Sequence, residues 1–388
     1  MGILYLYILG KSRNYKLRTK RMDLMELIKS LTDLSLAAGP SGREGSFERS
    51  GTSETPASVL SCAKAHMEAL KTSAGEPFFP SVEIDRFGNL IGFHPCGRPN
   101  AKRVVLDAHL DEVGLVITGA EEGILTFRAV GGVDPRMLPD REVTILTDAT
   151  TFGLVAVLPP HYQKPGDADK SIPMEDLRID AGLTQAQAET LIGTFAVPRG
   201  TVLTLENDRL SGKAMDDRAG FVTLLRAAEL LRDVPLDVDL YIMGSSREET
   251  NGGGALVGAF ALKPHCFVAV DVTHARTPDS PKEGTFPLGS GAIIGIGPNI
   301  ARWMSDRFIA KAEEISWLPE VMAGNTGTNA WRVQTAREGI ATAVLSLPLK
   351  YMHSPVETLE LNDLEACAAL LAAFVKDLAA EGGDFLAD

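Results

Sequence analysis

A mixed α/β fold interrupted by a small all-β insert is what the sequence predicts, on three observations. Short apolar runs of β type recur and stop on histidine or acids at 104–109, 238–249 and 267–271, as strands buried on both faces of a sheet do. Between such runs lie segments whose apolar residues keep helical spacing, for example Phe221, Leu224, Leu225, Ala228 and Leu231. From Gly114 to about Glu206 the texture changes to brief β runs punctuated by Gly, Pro and Asp, which reads as a separate module. Residues 22–113 and 206–388 are therefore expected to form one discontinuous α/β domain around an insert at 114–205. A chain of 388 residues is long enough to bury two cores.

Residues 1–21 are read as an extension without function, either a disordered arm or the product of an upstream start. Its apolar stretch from Ile3 to Leu9 is too short to span a bilayer. The basic residues follow that stretch, the reverse of a secretory leader. Met22 opens a helix with Leu24, Leu27, Ile28, Leu31 and Leu34 on one face. The turn residues Ala38-Gly39-Pro40-Ser41-Gly42 follow, then a helix over 57–70, a hairpin over 82–93 and a strand over 104–108. Within the insert, strands are expected at 124–130, 142–146, 153–158 and 201–205, with a helix at 184–191. Beyond it come a helix from Asp216 and strands at 238–244, 267–270 and 341–347. A last helix runs from Asn362 to about Glu381, with Glu365 three residues after Asn362 in a capping-box-like start.

Composition narrows the function. A net charge of −13, with no long basic run beyond Lys11 to Arg21, excludes nucleic acid as a partner and permits a site built from several carboxylates. Four scattered cysteines without C-x-x-C spacing fit reduced thiols in a cytoplasmic protein, and no segment reads as a membrane span.

The chemistry centres on Val104-Val105-Leu106-Asp107-Ala108-His109-Leu110-Asp111-Glu112. A buried strand that stops at His-x-Asp presents an imidazole at the lip of a sheet, with Asp111 near enough to hold its second nitrogen. A histidine there is also an ordinary structural residue, so matching groups are needed at other strand ends. They are present: Asp216 at a helix start, Glu248 and Glu249 before a glycine run, Asp271 ending a strand, and His353 after another. Adjacent glutamates repel and glycines cost entropy, so the Glu248-Glu249 segment calls for a cation. In open α/β sheets ligands bind beyond the carboxyl ends of strands, where widely separated residues converge. Two histidines and three carboxylates suit a pair of divalent cations with one carboxylate shared, leaving one glutamate for proton transfer.

At these residues the chain resembles the dinuclear metallo-aminopeptidases that include the tetrahedral and glutamyl aminopeptidases. The resemblance runs from about Met22 to the C-terminus, through Gly39-Pro40-Ser41-Gly42, Ala108 to Gly114, Gly131-Gly132-Val133-Asp134, Pro159-Pro160-His161, Gly212 to Arg218, Glu248-Glu249, Asp271 to Ala275 and Tyr351 to Pro355. It implies a phosphorylase/hydrolase-like α/β/α catalytic domain with an inserted barrel-like dimerisation domain. It implies two divalent metal ions per subunit, zinc first with cobalt or manganese as alternatives. His109 and Asp271 would bind one, Glu249 and His353 the other, and Asp216 would bridge. Asp111 would orient His109, and Glu248 would be the general base on a water held between the metals. The activity implied is removal of N-terminal residues from short peptides, by dimers that assemble into a tetrahedral dodecamer.

The chain departs from the family pattern at Arg247, where Gln is usual, at Thr250-Asn251-Gly252, and at Thr328-Asn329, where Thr-Asp is usual. None of these is an expected ligand, so they bear on substrate preference. His161 is read as structural, His274 as a group behind the ligands, and Lys213 and Arg218 as neutralising carboxylates around the site. Two rivals remain at this stage: a deacylase or amidohydrolase acting on N-blocked or carboxy-terminal amides, and a metal-bound assembly protein without activity. An endoglucanase is disfavoured by the lack of an aromatic platform near the motifs, with 6% aromatic residues overall.

Overall fold

A computed structural model of the chain describes residues 21–45, 57–148, 151–162 and 170–381. The expected extension at 1–21 lies outside the described residues except for Arg21. The larger unit is a mixed eight-stranded sheet between two layers of helices, beside a three-stranded sheet and a closed six-stranded barrel. Among the described residues no helix is long and apolar enough to cross a membrane.

The large sheet has the order β1-β2-β12-β3-β13-β16-β14-β15. Its middle is parallel: β12 (Asp239–Ser245), β3 (Arg103–His109), β13 (Cys266–His274) and β16 (Ala341–Leu349). The hairpin of β1 (Ser81–Ile84) and β2 (Leu90–His94) adds antiparallel to β12. On the other side β14 (Ala292–Ile296) runs antiparallel to β16 and carries β15 (Trp317–Val321).

The period of two decides which layer each side chain enters. Val104, Leu106 and Ala108 of β3, with Cys266, Val268, Val270 and Val272 of β13, pack against α1 (Arg21–Leu36), α2 (Val59–Ala69), α4 (Met215–Leu231) and α9 (Leu361–Ala380). Val105, Phe267 and Ala269 face the other way, toward α6 (Gly253–Leu262) and α8 (Asn329–Val333). Continuing that second face toward the carboxyl ends of the strands reaches His109 on β3, and Asp271 and Thr273 on β13.

The barrel, in order β4-β5-β8-β7-β6-β9, is made by β4 (Gly114–Glu121), β5 (Ile124–Val130), β6 (Glu142–Ile145), β7 (Thr151–Ala156), β8 (Arg178–Asp180) and β9 (Phe195–Pro198). It closes on its own core of Leu115, Ile117, Leu125, Phe127, Val143, Ile145, Val155 and Ile179. Closure leaves no open strand edge. The short helix α3 (Gln185–Glu189) starts with a reciprocal capping box between Thr184 and Gln187.

Three expectations need correction. The segment expected as the insert's last strand, 201–205, instead supplies β10 (Leu203–Leu205), which pairs with β11 (Arg209–Gly212) and through it with β17 (Glu357–Glu360) in the three-stranded sheet. The barrel's last strand is β9, whose Pro198 closes the run. The last helix has no capping box: it begins at Leu361 with Glu360 at the cap and no side-chain cap bond. The β11–β17 ladder runs to Glu360 and so fixes where the helix starts, while Glu365 pairs with Arg226 at 3.0 Å. Asp216 and Asp217 do not lie in regular helix either. They form a non-helical entry turn joined by a cis peptide bond, and Asp217 Oδ1 accepts the N–H of Gly220 at 3.1 Å, capping the regular part of α4.

Candidate metal centre

Parallel register brings the strand ends level. Ser245 of β12 sits beside His109 of β3, and the chain leaving β12 turns at once into α5 (Glu248–Asn251). That turn is tight. Arg247 and Gly252 both have positive φ, and a Cβ on Gly254 would meet the Ser246 carbonyl oxygen at 2.1 Å, which accounts for a glycine after the acids. Asp111 fastens the turn: its Oδ1 accepts the Glu248 N–H at 3.0 Å and its Oδ2 the Glu249 N–H at 3.1 Å.

Asp216 lies at the centre. Its Oδ1 is 3.0 Å from His109 Nε2 and its Oδ2 is 3.4 Å from His353 Nε2, while Glu249 Oε2 is 3.3 Å from the same His353 nitrogen. His109, Asp216 and Glu249 place one ligand-type atom each within 4.8 Å of one another, and so do His109, Asp217 and Asp271. The five expected ligands His109, Asp216, Glu249, Asp271 and His353 therefore meet in one cluster, and Asp217 joins it. Both imidazoles are held from behind. His109 Nδ1 lies 3.1 Å from the backbone carbonyl of Asp111 and 3.5 Å from its carboxylate, so the carbonyl is the nearer acceptor. His353 Nδ1 is 2.9 Å from the carbonyl of Gly132, in the loop after β5, so the barrel takes part in the site. A Cβ on Gly132 would meet that ring nitrogen at 2.9 Å.

Burial and crowding set the electrostatics. Burial, with the charges of Asp111, Glu249 and Asp216, pushes Glu248 up to about 8 despite the nearby His109. Burial raises Asp217 and Asp271 well above the usual carboxylate range as well. Asp216 goes the other way: against the cost of burial, hydrogen bonds and charge from His109 and His353 hold it down. Like-charged carboxylates this close, with Asp217 Oδ2 buried and without a hydrogen-bond partner among the described residues, form an anionic cage that fits divalent cations. A mixed imidazole and carboxylate donor set suits first-row metals.

Two supports escaped the sequence reading. Buried Glu357 accepts the N–H of His353 at 2.7 Å with one oxygen and the N–H of Asp216 at 3.1 Å with the other. Glu357 follows His353 by four residues, a spacing that by itself marks no role. Gly132 left no signal either, since a backbone carbonyl has no sequence mark. Lys213 and Arg218 neutralise a carboxylate beside the ligands rather than a ligand itself. Both spend their charge on Glu112, at 2.6 and 2.9 Å, in a network where Arg218 also donates to the carbonyls of Leu34, Ala37 and Leu110. His161 lies in a short 3-10 turn that does not line the cluster, whereas His274 lines the cavity over it.

The chain is 33% identical over 307 residues to a lysyl aminopeptidase of Pyrococcus furiosus, covering 76% of this chain and 87% of that one. A TET aminopeptidase from a marine sediment Thaumarchaeota archaeon superposes with a TM-score of 0.81 at 26% identity, covering 92% of this chain and 99% of that one. The Pyrococcus horikoshii TET1 peptidase, which can assemble into a tetrahedron or a large octahedral shell, gives 0.74 at 29% identity over 89% and 98% of the two chains. A family model matches residues 88–370, a span that takes in every group of the centre from His109 to Glu357, and the chain belongs to the M42 glutamyl aminopeptidase family.

Proposed function

We propose that this metallopeptidase removes N-terminal residues from short peptides with a pair of divalent cations. His109 and Asp271 would hold one cation and Glu249 and His353 the other, with Asp216 placed to serve both. The observation that carries this is Asp216 itself, a buried carboxylate that offers one oxygen to His109 and the other to His353. Zinc fits the donor set, with cobalt or manganese as alternatives. Bound there, such cations lower the pKa of a water toward neutrality and polarise a scissile carbonyl.

The protein's own groups do the rest. Glu248, beside the ligand cluster and lining the cavity over it, is placed to take a proton from the attacking water and return it to the departing amine. Asp111 keeps Glu248 and Glu249 in place through their N–H groups, and Glu357 does the same for His353 and Asp216. The carboxylate surplus attracts a free α-ammonium, which restricts cleavage to the first residue. Names among the relatives divide between lysyl and glutamyl, so the preferred first residue has to be read from this chain's pocket.

The barrel's outer face supports assembly. Phe152 and Leu154 of β7, and Leu158 and Tyr162 after it, are exposed apolar side chains, Leu154 and Tyr162 at 55% and 71%, of the kind that interfaces bury. We assign this face to dimer contacts that build a tetrahedral dodecamer, in keeping with the TET relatives. The chain's four free cysteines suit a cytoplasmic location.

Aminoacyl p-nitroanilides and their N-acetylated forms, offered to the metal-loaded protein, test the reading. Cleavage of the free amines alone supports it. Equal or faster cleavage of the blocked forms assigns the site to a deacylase or amidohydrolase instead.

A further inference from the structure

A cavity of about 420 Å³ opens over the centre, lined on one side by His109, Glu248 and Asp271 and on the other by Glu320 and Met322 from the end of β15. Glu320 belongs to none of the interactions that build the centre. Its Oε1 accepts from Thr273 Oγ1 at 2.9 Å, and its Oε2 is buried without a hydrogen-bond partner among the described residues. No lysine or arginine lines this cavity among the described residues. A desolvated carboxylate oxygen costs free energy until a donor meets it. Burial raises the pKa of Glu320, and the Thr273 bond offsets that only in part.

The position of Glu320 follows from the strand that pins it. Asp271 and Thr273 are two residues apart on one face of β13, about 6.6 Å along the strand. Glu320, held by Thr273, therefore stands one pleat further out than the ligand Asp271. A four-carbon lysine stem spans a distance of that order. Met322 and Met352 line the same cavity and offer soft, apolar surface to such a stem. An α-ammonium has to stay at the centre for the first peptide bond to be cut, so the outer carboxylate is left for the side chain.

Resting on the aminopeptidase reading, we propose that Glu320 is the specificity-determining residue of the first-residue pocket, selecting peptides that begin with a cationic side chain, lysine or arginine. A neutral side chain of equal length leaves Oε2 unpaired, and an acidic one meets it with like charge. The pinning bond from Thr273 fixes where the charge sits.

The test is kcat/KM of the metal-loaded full chain on lysyl, arginyl, norleucyl and glutamyl p-nitroanilides, for the wild type, Glu320→Gln and Glu320→Asp. Lysyl should exceed the near-isosteric norleucyl substrate by roughly tenfold or more, with glutamyl last, because a site built around a polar partner rejects the analogue lacking it. Glu320→Gln should bring the lysyl to norleucyl ratio close to one, and Glu320→Asp should restore part of it. In the Glu248→Gln holoenzyme, calorimetry should show L-lysine binding more tightly than L-norleucine. Cleavage that favours norleucyl or glutamyl, or a ratio untouched in Glu320→Gln, overturns the pocket assignment alone. Failure to cleave any free-amine substrate overturns both it and the aminopeptidase reading.

Discussion

Asp111→Asn perturbs the centre without touching a ligand. The carboxylate accepts two backbone N–H groups, from Glu248 at 3.0 Å and Glu249 at 3.1 Å. An asparagine can accept only one of them, and its NH2 then faces the other N–H. Losing one hydrogen bond to a charged acceptor costs about 1.5–3 kcal/mol, equivalent to roughly 10–150-fold at about 1.4 kcal/mol per decade. Loss of an outer-shell partner in metal sites typically costs about 10–100-fold. The two routes agree, so metal affinity and kcat/KM should each fall by one to two decades. The His109 ring should keep its orientation, because its nearer acceptor is the Asp111 backbone carbonyl, which the substitution retains. Metal titration against a competing chelator, paired with kcat/KM on an aminoacyl chromogenic substrate, measures both effects. Wild-type metal affinity and wild-type turnover in Asp111→Asn would refute the claim that this carboxylate sets the Glu248-Glu249 turn.

Glu248→Gln should lower kcat by about 10²–10⁴-fold while the protein still binds its metals, the loss expected of a general base; loss of metal as well would make Glu248 a ligand. Glu112→Gln should destabilise the fold by about 3–5 kcal/mol, since it leaves Lys213 and Arg218 buried without their anion. Against the cost of burial, those two charges hold Glu112 below its ordinary 4.5. The unfolded chain therefore binds the proton more readily, and this contribution is present above pH 4.5 and lost as pH falls through the lower folded value. Melting curves between pH 3 and 6 should show that slope in the wild type and a shallower one in the variant; parallel curves would remove Glu112 from the account. Leu154→Glu on the barrel should shift the particle to smaller mass in sedimentation, whereas an unchanged mass would move the interface elsewhere.

Much of the centre was legible because its chemistry sits where chain patterns change. His109 and Asp271 stand where apolar runs stop, Glu248 and Glu249 precede a glycine run, and Asp216 stands at a helix start, so each is marked by its neighbours. His353 follows a strand too, but only after a loop, and its role rested on the resemblance. Long-range support was not legible. Glu357 reads as an ordinary acid until β17 folds against β11 and aims it at two backbone N–H groups, and the Gly132 carbonyl carries no residue signature. Strands β14 and β15 escaped notice for local reasons: Ala292–Ile296 is brief and flanked by glycines, and Pro319 interrupts an edge strand, where proline is tolerated. Missing β15 also hid Glu320, whose meaning depends on Thr273 across the cavity. The order of the large sheet, with β12 and β13 flanking β3, is set by pairings between residues more than a hundred positions apart, which no local pattern records.

Everything in the account depends on the cage around Asp216 being a binding site for two cations. Anomalous diffraction from crystals of the metal-loaded protein tests this directly. Two peaks per chain are expected, one bonded to His109 and Asp271 and one to Glu249 and His353, with Asp216 touching both. A single peak, or peaks away from these side chains, would contradict it.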